Sequence, residues 1–420
     1  MRAGAEAGFP DTPARAAGPT QNTTTSAVQR LLMHRDPSVV APTSMRPAPD
    51  AVALRAIRAL ATPDLAVEVV EARPVPAYRP ALTGRPGLSL AVLDRPLDAT
   101  WRRTSYSALT AVAHDAPRLG SEPESEGKDD EFDLEPVDAV AAGADTPLGE
   151  VVSAWDALPA GPAFGTLVHS ALEEVADPSD ASQLRTALVR NASRMTSGLA
   201  VGALADALAL AAVTPLGALA GGRTLAKLVG ADRLPELDFE LPLAGGDQPT
   251  AVEPVLTGLV PLWRKHCSTG LLAGYADALV ELEPAPLRGY LTGSIDAVLR
   301  VRDGSAVSYL VVDYKTNRLG GYDEPLTAWH YRTEALETAM VEAHYPLQAL
   351  LYGVALHRYL RWRQPGYDPD VHLGGSLYLF LRGMSGPDVV LPDGGAPGVF
   401  AWRPPAALVV EASDLLSGGR

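Results

Sequence analysis

The stretch VVDYK (311–315) leads two β-branched residues directly into an acid and, two places later, a lysine. Neither charge is buried cheaply, because an unpaired ion taken out of water costs several kcal/mol. A second acid, Asp296 in GSIDAV (293–298), precedes this stretch by about the length of a strand. Two carboxylates held close together raise each other's pKa unless a cation lies between them. A hard divalent ion such as Mg²⁺ suits an all-oxygen pair of this kind. An ammonium beside it, that of Lys315, can position or deprotonate a water, or neutralise a phosphate oxygen. Taken alone, the Asp313–Lys315 spacing reads as a salt bridge at a strand end. Asp296 on a neighbouring strand of the right parity is what makes a metal site the competing reading.

That parity comes from the turn RDGS (302–305), whose Asp-Gly pair is a strong hairpin signal. A turn on Asp303 and Gly304 sets Arg302 against Ser305, Asp296 opposite Val311, and Ser294 opposite Asp313. Side chains alternate along a strand, so Asp296, Val311, Asp313 and Lys315 fall on one face. The two acids are then diagonal neighbours, roughly 7–8 Å apart.

Three further signals are weaker alone. His169 lies in FGTLVHSALEEVA (164–176), an amphipathic helix with Leu167, Ala171, Leu172 and Val175 at helical spacing. A lone histidine there is ordinarily a satisfied core residue. Gln348 and Tyr352 stand at i and i+4 in YPLQALLY (345–352), where they line a groove or make a helix–helix contact. Glu236, ahead of Asp238 and Phe239 in ELDFELPL (236–243), carries the least.

The elements that must position these residues are strands at 236–243, 289–301, 308–316 and 374–384, and a helical stretch at 334–363 broken near Pro346. Residues 1–48 read as disordered, and 49–110 as a short segment with a helix (DAVALRAIRALA) and strands (LAVEVVEA, LSLAVLD), too small for a complete domain. Residues 111–145 read as an acidic linker, 146–412 as the main domain, and 413–420 as a tail. LAVGALADALALAAVTPLGALAGG (199–222) is apolar, but Asp206 interrupts it and Pro215 breaks it. It reads as a buried Ala-rich helix pair rather than a membrane span.

The 420 residues carry 50 acids against 35 bases, a formal charge of −15. A surface so acidic repels nucleic acid, so any strand it handles needs a local basic groove, metal ions or a partner that delivers it. The single cysteine, Cys267, excludes a disulfide framework and a self-contained four-cysteine iron–sulfur cluster. No GxxxxGK[ST] loop is present, so the chain shows no ATP site of that type. The first 30 residues lack the apolar core of a signal peptide, and the chain reads as cytoplasmic.

Taken in order, GTLVH, ELDF, GSIDAV, VVDYKT and YPLQALLY resemble the successive motifs of the RecB nuclease domain, the C-terminal part of the exodeoxyribonuclease V beta subunit, in the PD-(D/E)XK superfamily. The resemblance covers about 146–412. Upstream, WRRTSYSAL (101–109) looks like the segment preceding the family's linker, and GVFAWRPPAALV (398–409) like its closing segment. It implies an α/β fold with a mixed central sheet flanked by helices and an active site at one open end. It also implies a Mg²⁺-dependent DNA nuclease. By the resemblance, His169, Asp296, Asp313 and the Tyr314 carbonyl ligate one or two ions, Lys315 is the catalytic lysine, and Gln348 and Tyr352 form a helix motif near the scissile strand. Glu236 matches a family acid. Family members carry an ATP-driven helicase ahead of the nuclease, which is absent here, so a fragment, a split gene or a mis-called start is expected. Single-stranded DNA, the helicase part and RecC- and RecD-like subunits are the partners implied, with no membrane. The alternatives are a catalytically silent scaffold of the same fold and a stand-alone restriction-like endonuclease.

Overall fold

The computed structural model describes residues 102–110, 146–192, 199–244, 255–282 and 287–418, with the short pieces 54–55 and 58–59. The chain divides into two units, Met1–Leu93 and Asp94–Arg420. The short pieces in the first belong to a helical turn closed by the Ala59 N–H on the Arg55 carbonyl. The strands expected within 65–94, the N-terminal region and the acidic linker lie outside the described residues.

The second unit is built on a six-stranded mixed sheet. Its strands are β1 (Arg102–Thr104), β2 (Arg233–Pro242), β3 (Gly289–Asp303), β4 (Ala306–Lys315), β5 (Leu373–Phe380) and β6 (Val399–Trp402). β1 runs parallel to β3 and β4 parallel to β5, while β2–β3, β3–β4 and β5–β6 are antiparallel. The helices of seven residues or more are α1 (Pro162–Glu174), α2 (Ala181–Asn191), α3 (Val201–Ala212), α4 (Leu259–His266), α5 (Tyr275–Glu281), α6 (Thr333–Glu342), α7 (Tyr345–Arg363) and α8 (Ala406–Leu416).

Alternating burial divides them into two layers. Leu310, Val312, Leu377 and Leu379 face α1–α3, whereas Val311, Tyr378 and Phe380 face α4–α8. Strands covered on both sides explain the nearly continuous apolar run SYLVV, since neither face meets water. α7 lies deepest in the second layer, with Leu347, Leu350, Leu351 and Val354 fully buried. Each such side chain contributes about 1.5–3 kcal/mol of transfer free energy.

The β3–β4 register differs from the sequence expectation by two residues. Asp303 pairs with Ala306, and Ala297 with Val312, so the turn falls on Gly304 and Ser305. Gly304 takes φ +57°, which only glycine adopts without strain, and the turn therefore centres on it from its first position. The pairing ends at Ala297–Val312, with Asp296 and Asp313 the residues that follow on either strand. Asp296 bonds His169 on α1, so it does not share one face with Val311, Asp313 and Lys315 as the alternation led one to expect.

Two helical expectations also change. The 199–222 stretch forms one α-helix, α3, and not a pair. Beyond Val213, Pro215 and the left-handed glycines Gly217, Gly221 and Gly222 allow only a three-residue 3₁₀ turn, Ala218–Ala220. The 334–363 stretch breaks at Ala343–His344, ahead of Pro346. Proline lacks an N–H that the first turn of α7 would leave unpaired anyway, so it starts the new helix well.

One feature of the sheet positions everything else. Tyr290 and Leu291 pair with both β1 and β2, and Ala297, Val298 and Leu299 with both β2 and β4. β1 and β4 therefore share one edge of β3, and residues 292–296 are the gap between them. β4 leaves β3 after Val312 and continues beside β5 alone as Asp313, Tyr314 and Lys315. The two strands form a fork, with Asp296 at its crotch.

Candidate active site

Alternation along β3 breaks at the fork: Ile295 and Val298 both face α4–α8, while Ala297 and Leu299 face α1–α3. Glu236 occupies the position opposite Asp296, between the pairs Pro235↔Ala297 and Leu237↔Ile295. It takes φ +50°, an uncommon conformation for a side-chain-bearing residue. Its Oε1 accepts the Ser294 hydroxyl at 3.2 Å.

Asp296 spends both oxygens at the fork. Oδ1 lies 2.9 Å from His169 Nδ1, and Oδ2 accepts the Tyr314 backbone N–H at 2.7 Å. That N–H is one that β4 would have offered β3 had the strands stayed together. Burial pushes the Asp296 carboxyl up, but His169, the Tyr314 N–H and Lys315 outweigh it and hold its pKa below the ordinary carboxylate value.

Asp313 is 4% exposed and Lys315 3%, and they pair with each other, Lys315 Nζ lying 2.7 Å from Asp313 Oδ2. Burial pushes the Asp313 carboxyl up to about 7. Lys315 and His169 oppose that rise, and the Asp296 charge adds to it.

The helix carrying His169 is moored at both ends by buried arginines. Arg233, the first residue of β2, donates to the carbonyls of Leu172 and Val175 where α1 ends. Arg382, 1% exposed, donates to the Trp155, Leu158 and Pro159 carbonyls before α1 begins and to the Thr316 carbonyl beside Lys315. Its guanidinium also lies over the Trp155 and Phe164 rings.

The structure thus brings His169, Asp296, Asp313, Tyr314 and Lys315 together around the fork, with Glu236 in register beside it. Gln348 and Tyr352 are bonded to each other and fully buried within α7, Gln348 Nε2 donating to the Tyr352 hydroxyl at 3.2 Å. Tyr345 and Tyr378 were not picked out from the sequence, yet their rings flank Lys315 Nζ at 4.0 and 5.7 Å. Tyr345 had a signal, since it shares a face of YPLQALLY with Gln348 and Tyr352 at i, i+3 and i+7. Tyr378 had none, because its pairing with Asp313 depends on the β4–β5 register. Arg382 was missed for the same reason.

The donor chemistry fits a hard divalent cation: two adjacent carboxylates, an imidazole and a strand-end carbonyl. Among the described residues, no three acidic, histidine or cysteine side chains are already gathered around one point. Asp296 is held by His169 and the Tyr314 N–H, and Asp313 by Lys315.

A sequence model of the PD-(D/E)XK nuclease superfamily matches residues 154–397. The chain is similar to the RecBCD enzyme subunit RecB of Mycolicibacterium smegmatis, 47% identical over 329 residues, covering 77% of this chain and 30% of that protein. To RecB of Mycobacterium tuberculosis H37Rv it is 46% identical over 345 residues, 80% of this chain and 30% of that one. To RecB of Escherichia coli K12 it is 29% identical over 397 residues, 94% and 29%. The chain spans about 30% of the length of these curated relatives. A fork that sets paired aspartates beside a buried lysine, within a mixed sheet that the superfamily match spans, leads to one conclusion: the chain belongs to the PD-(D/E)XK nuclease superfamily.

Proposed function

We propose that this chain hydrolyses phosphodiester bonds in DNA with the help of Mg²⁺, its catalytic domain spanning about 146–412. The observation that carries the reading is the buried Asp313–Lys315 pair set beside Asp296 and His169 at the fork. Asp296, Asp313, His169 and the Tyr314 carbonyl are the groups that would hold one or two ions. A bound divalent cation supplies Lewis-acid polarisation of a phosphate oxygen and eases loss of a water proton.

The chain's own residues supply the rest. Lys315 presents an ammonium in a site shielded from water, where a fixed positive charge stabilises developing negative charge far better than in solvent. His169 holds Asp296 ionised and oriented, and the Tyr314 N–H fixes the second oxygen. Glu236 completes the acidic edge of the site.

The relatives are named as subunits of a RecBCD enzyme, and we infer that this chain likewise works beside a helicase part of RecB and RecC- and RecD-like subunits in double-strand break repair. A formal charge of −15 supports delivery of the strand by partners rather than capture by the chain alone. We infer that single-stranded DNA is the preferred substrate form. Among the described residues no helix is long and apolar enough to cross a membrane, and we place the protein in the cytoplasm with its substrate.

The test incubates purified protein with linear single-stranded and duplex DNA, with Mg²⁺ or EDTA, beside Asp313→Ala. Degradation that requires Mg²⁺, is faster on single strands and is lost in the variant is expected. Equal activity of the variant overturns the reading.

A further inference from the structure

Lys315 sits in an aromatic recess rather than in an open site. Its Nζ lies 4.0 Å from the centre of the Tyr345 ring and 5.7 Å from that of Tyr378, and the two rings stack at 5.6 Å and 23°. An ammonium stripped of water is favoured over the face of such rings. Hydrogen bonds in turn fix the rings. The Tyr378 hydroxyl is shared between Gln348 Oε1 at 3.0 Å and the Tyr345 carbonyl at 3.2 Å. Gln348 Nε2 donates to Tyr352 at 3.2 Å, and the Tyr345 hydroxyl donates to Asn317 Oδ1 at 3.4 Å, two residues beyond the lysine. A connected series therefore runs Tyr352–Gln348–Tyr378–Tyr345–Asn317 around the ammonium. Gln348, Tyr352, Tyr378 and Tyr345 are all at most 1% exposed, less than the lysine they surround at 3%.

We propose that Tyr345 and Tyr378 are positioning residues that hold the Lys315 ammonium against Asp313, and that Gln348 and Tyr352 act on the reaction through them rather than by touching DNA. This rests on the reading of Lys315 as the catalytic lysine. The assignment follows from geometry. Lys315 is a long side chain whose rotamer freedom would let the charge wander, and it is confined by a carboxylate on one side and a ring on another. Gln348 has both ends of its amide occupied by tyrosine hydroxyls, which locks Tyr378 and, through it, the start of α7. Misplacing a reacting group by about 1 Å is enough to cost roughly 100-fold in rate.

The experiment has one readout independent of cleavage. The chain has four lysines, Lys128, Lys227, Lys265 and Lys315, so protein labelled with ¹³C at lysine Cε gives four methylene signals. The Lys315 signal is identified by its loss in Lys315→Arg. Ring currents are expected to place it upfield of the other three in the wild type, and to leave it there in Tyr345→Phe. In Tyr345→Leu it should collapse toward the others. Single-turnover cleavage of linear DNA with Mg²⁺ should slow roughly 10- to 100-fold in Tyr345→Leu. DNA affinity measured in EDTA should stay unchanged, and Tyr345→Phe should remain close to wild type.

Tyr378→Phe and Gln348→Leu keep the packing and remove only the polar link. Both should shift the Lys315 signal and slow cleavage without weakening DNA binding, and they carry the test if Tyr345→Leu fails to fold. An unmoved signal, or wild-type cleavage in these variants while Asp313→Ala is inactive, overturns the proposal and leaves the nuclease reading intact. Wild-type cleavage by Lys315→Arg and Asp313→Ala overturns both.

Discussion

Asp296 and Tyr314 meet where β3 and β4 part: the side chain of one accepts the backbone N–H of the other at 2.7 Å. A carboxylate takes the place of the carbonyl that a continuing ladder would have provided. The acid proposed to hold the metal is therefore also the group that meets β4 where the strand pairing ends.

Replacing Asp296 separates these two roles. Asp296→Asn keeps an acceptor for the Tyr314 N–H and removes the charge. It should melt within a few degrees of wild type, yet lose Mg²⁺ binding by calorimetry and cleave at least about 100-fold more slowly. Asp296→Ala also strands a buried N–H and should lose a further ~1–3 kcal/mol in urea denaturation.

Arg382 should matter for stability more than its distance from the chemistry suggests. Arg382→Leu removes the guanidinium from the Thr316, Leu158 and Pro159 carbonyls and from that of Trp155, which keeps the Leu158 N–H. The expected loss is about 3–5 kcal/mol. Arg382→Lys should recover little, since one ammonium cannot reproduce a planar fork of donors. Urea midpoints of the two variants check this.

Two glycines should respond in opposite directions. A Cβ on Gly383 would lie 2.3 Å from Tyr331 Cβ and 2.9 Å from the Gly398 backbone, so Gly383→Ala should cost more than about 2 kcal/mol. At Gly202, in the first turn of α3, the nearest atom is the end of Arg185 at 3.9 Å. Gly202→Ala should gain about 0.5–1 kcal/mol from helix propensity. Thermal melts of both variants against wild type are sufficient.

His357 on α7 gives stability a pH dependence. Burial, with Arg361 and Arg358 nearby, pushes its pKa down to about 4, and Asp414 offsets this only in part. Its Nδ1 lies 2.9 Å from the Tyr367 hydroxyl. An unfolded histidine takes up a proton near 6.5, so between about 6.5 and 4 the unfolded chain binds more protons than the folded one. The contribution is complete above 6.5 and is lost as pH falls through that window. On the order of 2 kcal/mol should disappear between pH 7 and 4.5. His357→Gln should flatten that part of the curve in urea titrations at the two pH values.

Local sequence was informative wherever the signal stayed within one element. The parity of Asp313 and Lys315, the apolar face around His169 and the Gln348–Tyr352 spacing all follow from one strand or helix. The two-residue register shift was not legible, because RDGS accommodates a turn on either Asp303–Gly304 or Gly304–Ser305, and glycine's freedom decides between them. Arg382, Tyr345 and Tyr378 stayed hidden for a different reason. Their partners lie in segments far along the chain, and only the completed sheet brings them close. The Ala-rich stretch misled because apolar composition marks burial without marking where Pro215 and its glycines end a helix.

A sheet ordinarily acts as a wall, since the helical layers on its two sides never come within reach of each other. Where β3 and β4 separate, that wall has a window, and α1 and α7 reach it from opposite sides, one through His169 and the other through Tyr345 behind Lys315. Neither layer alone supplies both His169 and Tyr345. Partial unfolding that loosens either side should extinguish cleavage while most of the helical signal persists, making lost activity an earlier alarm of damage than lost secondary structure.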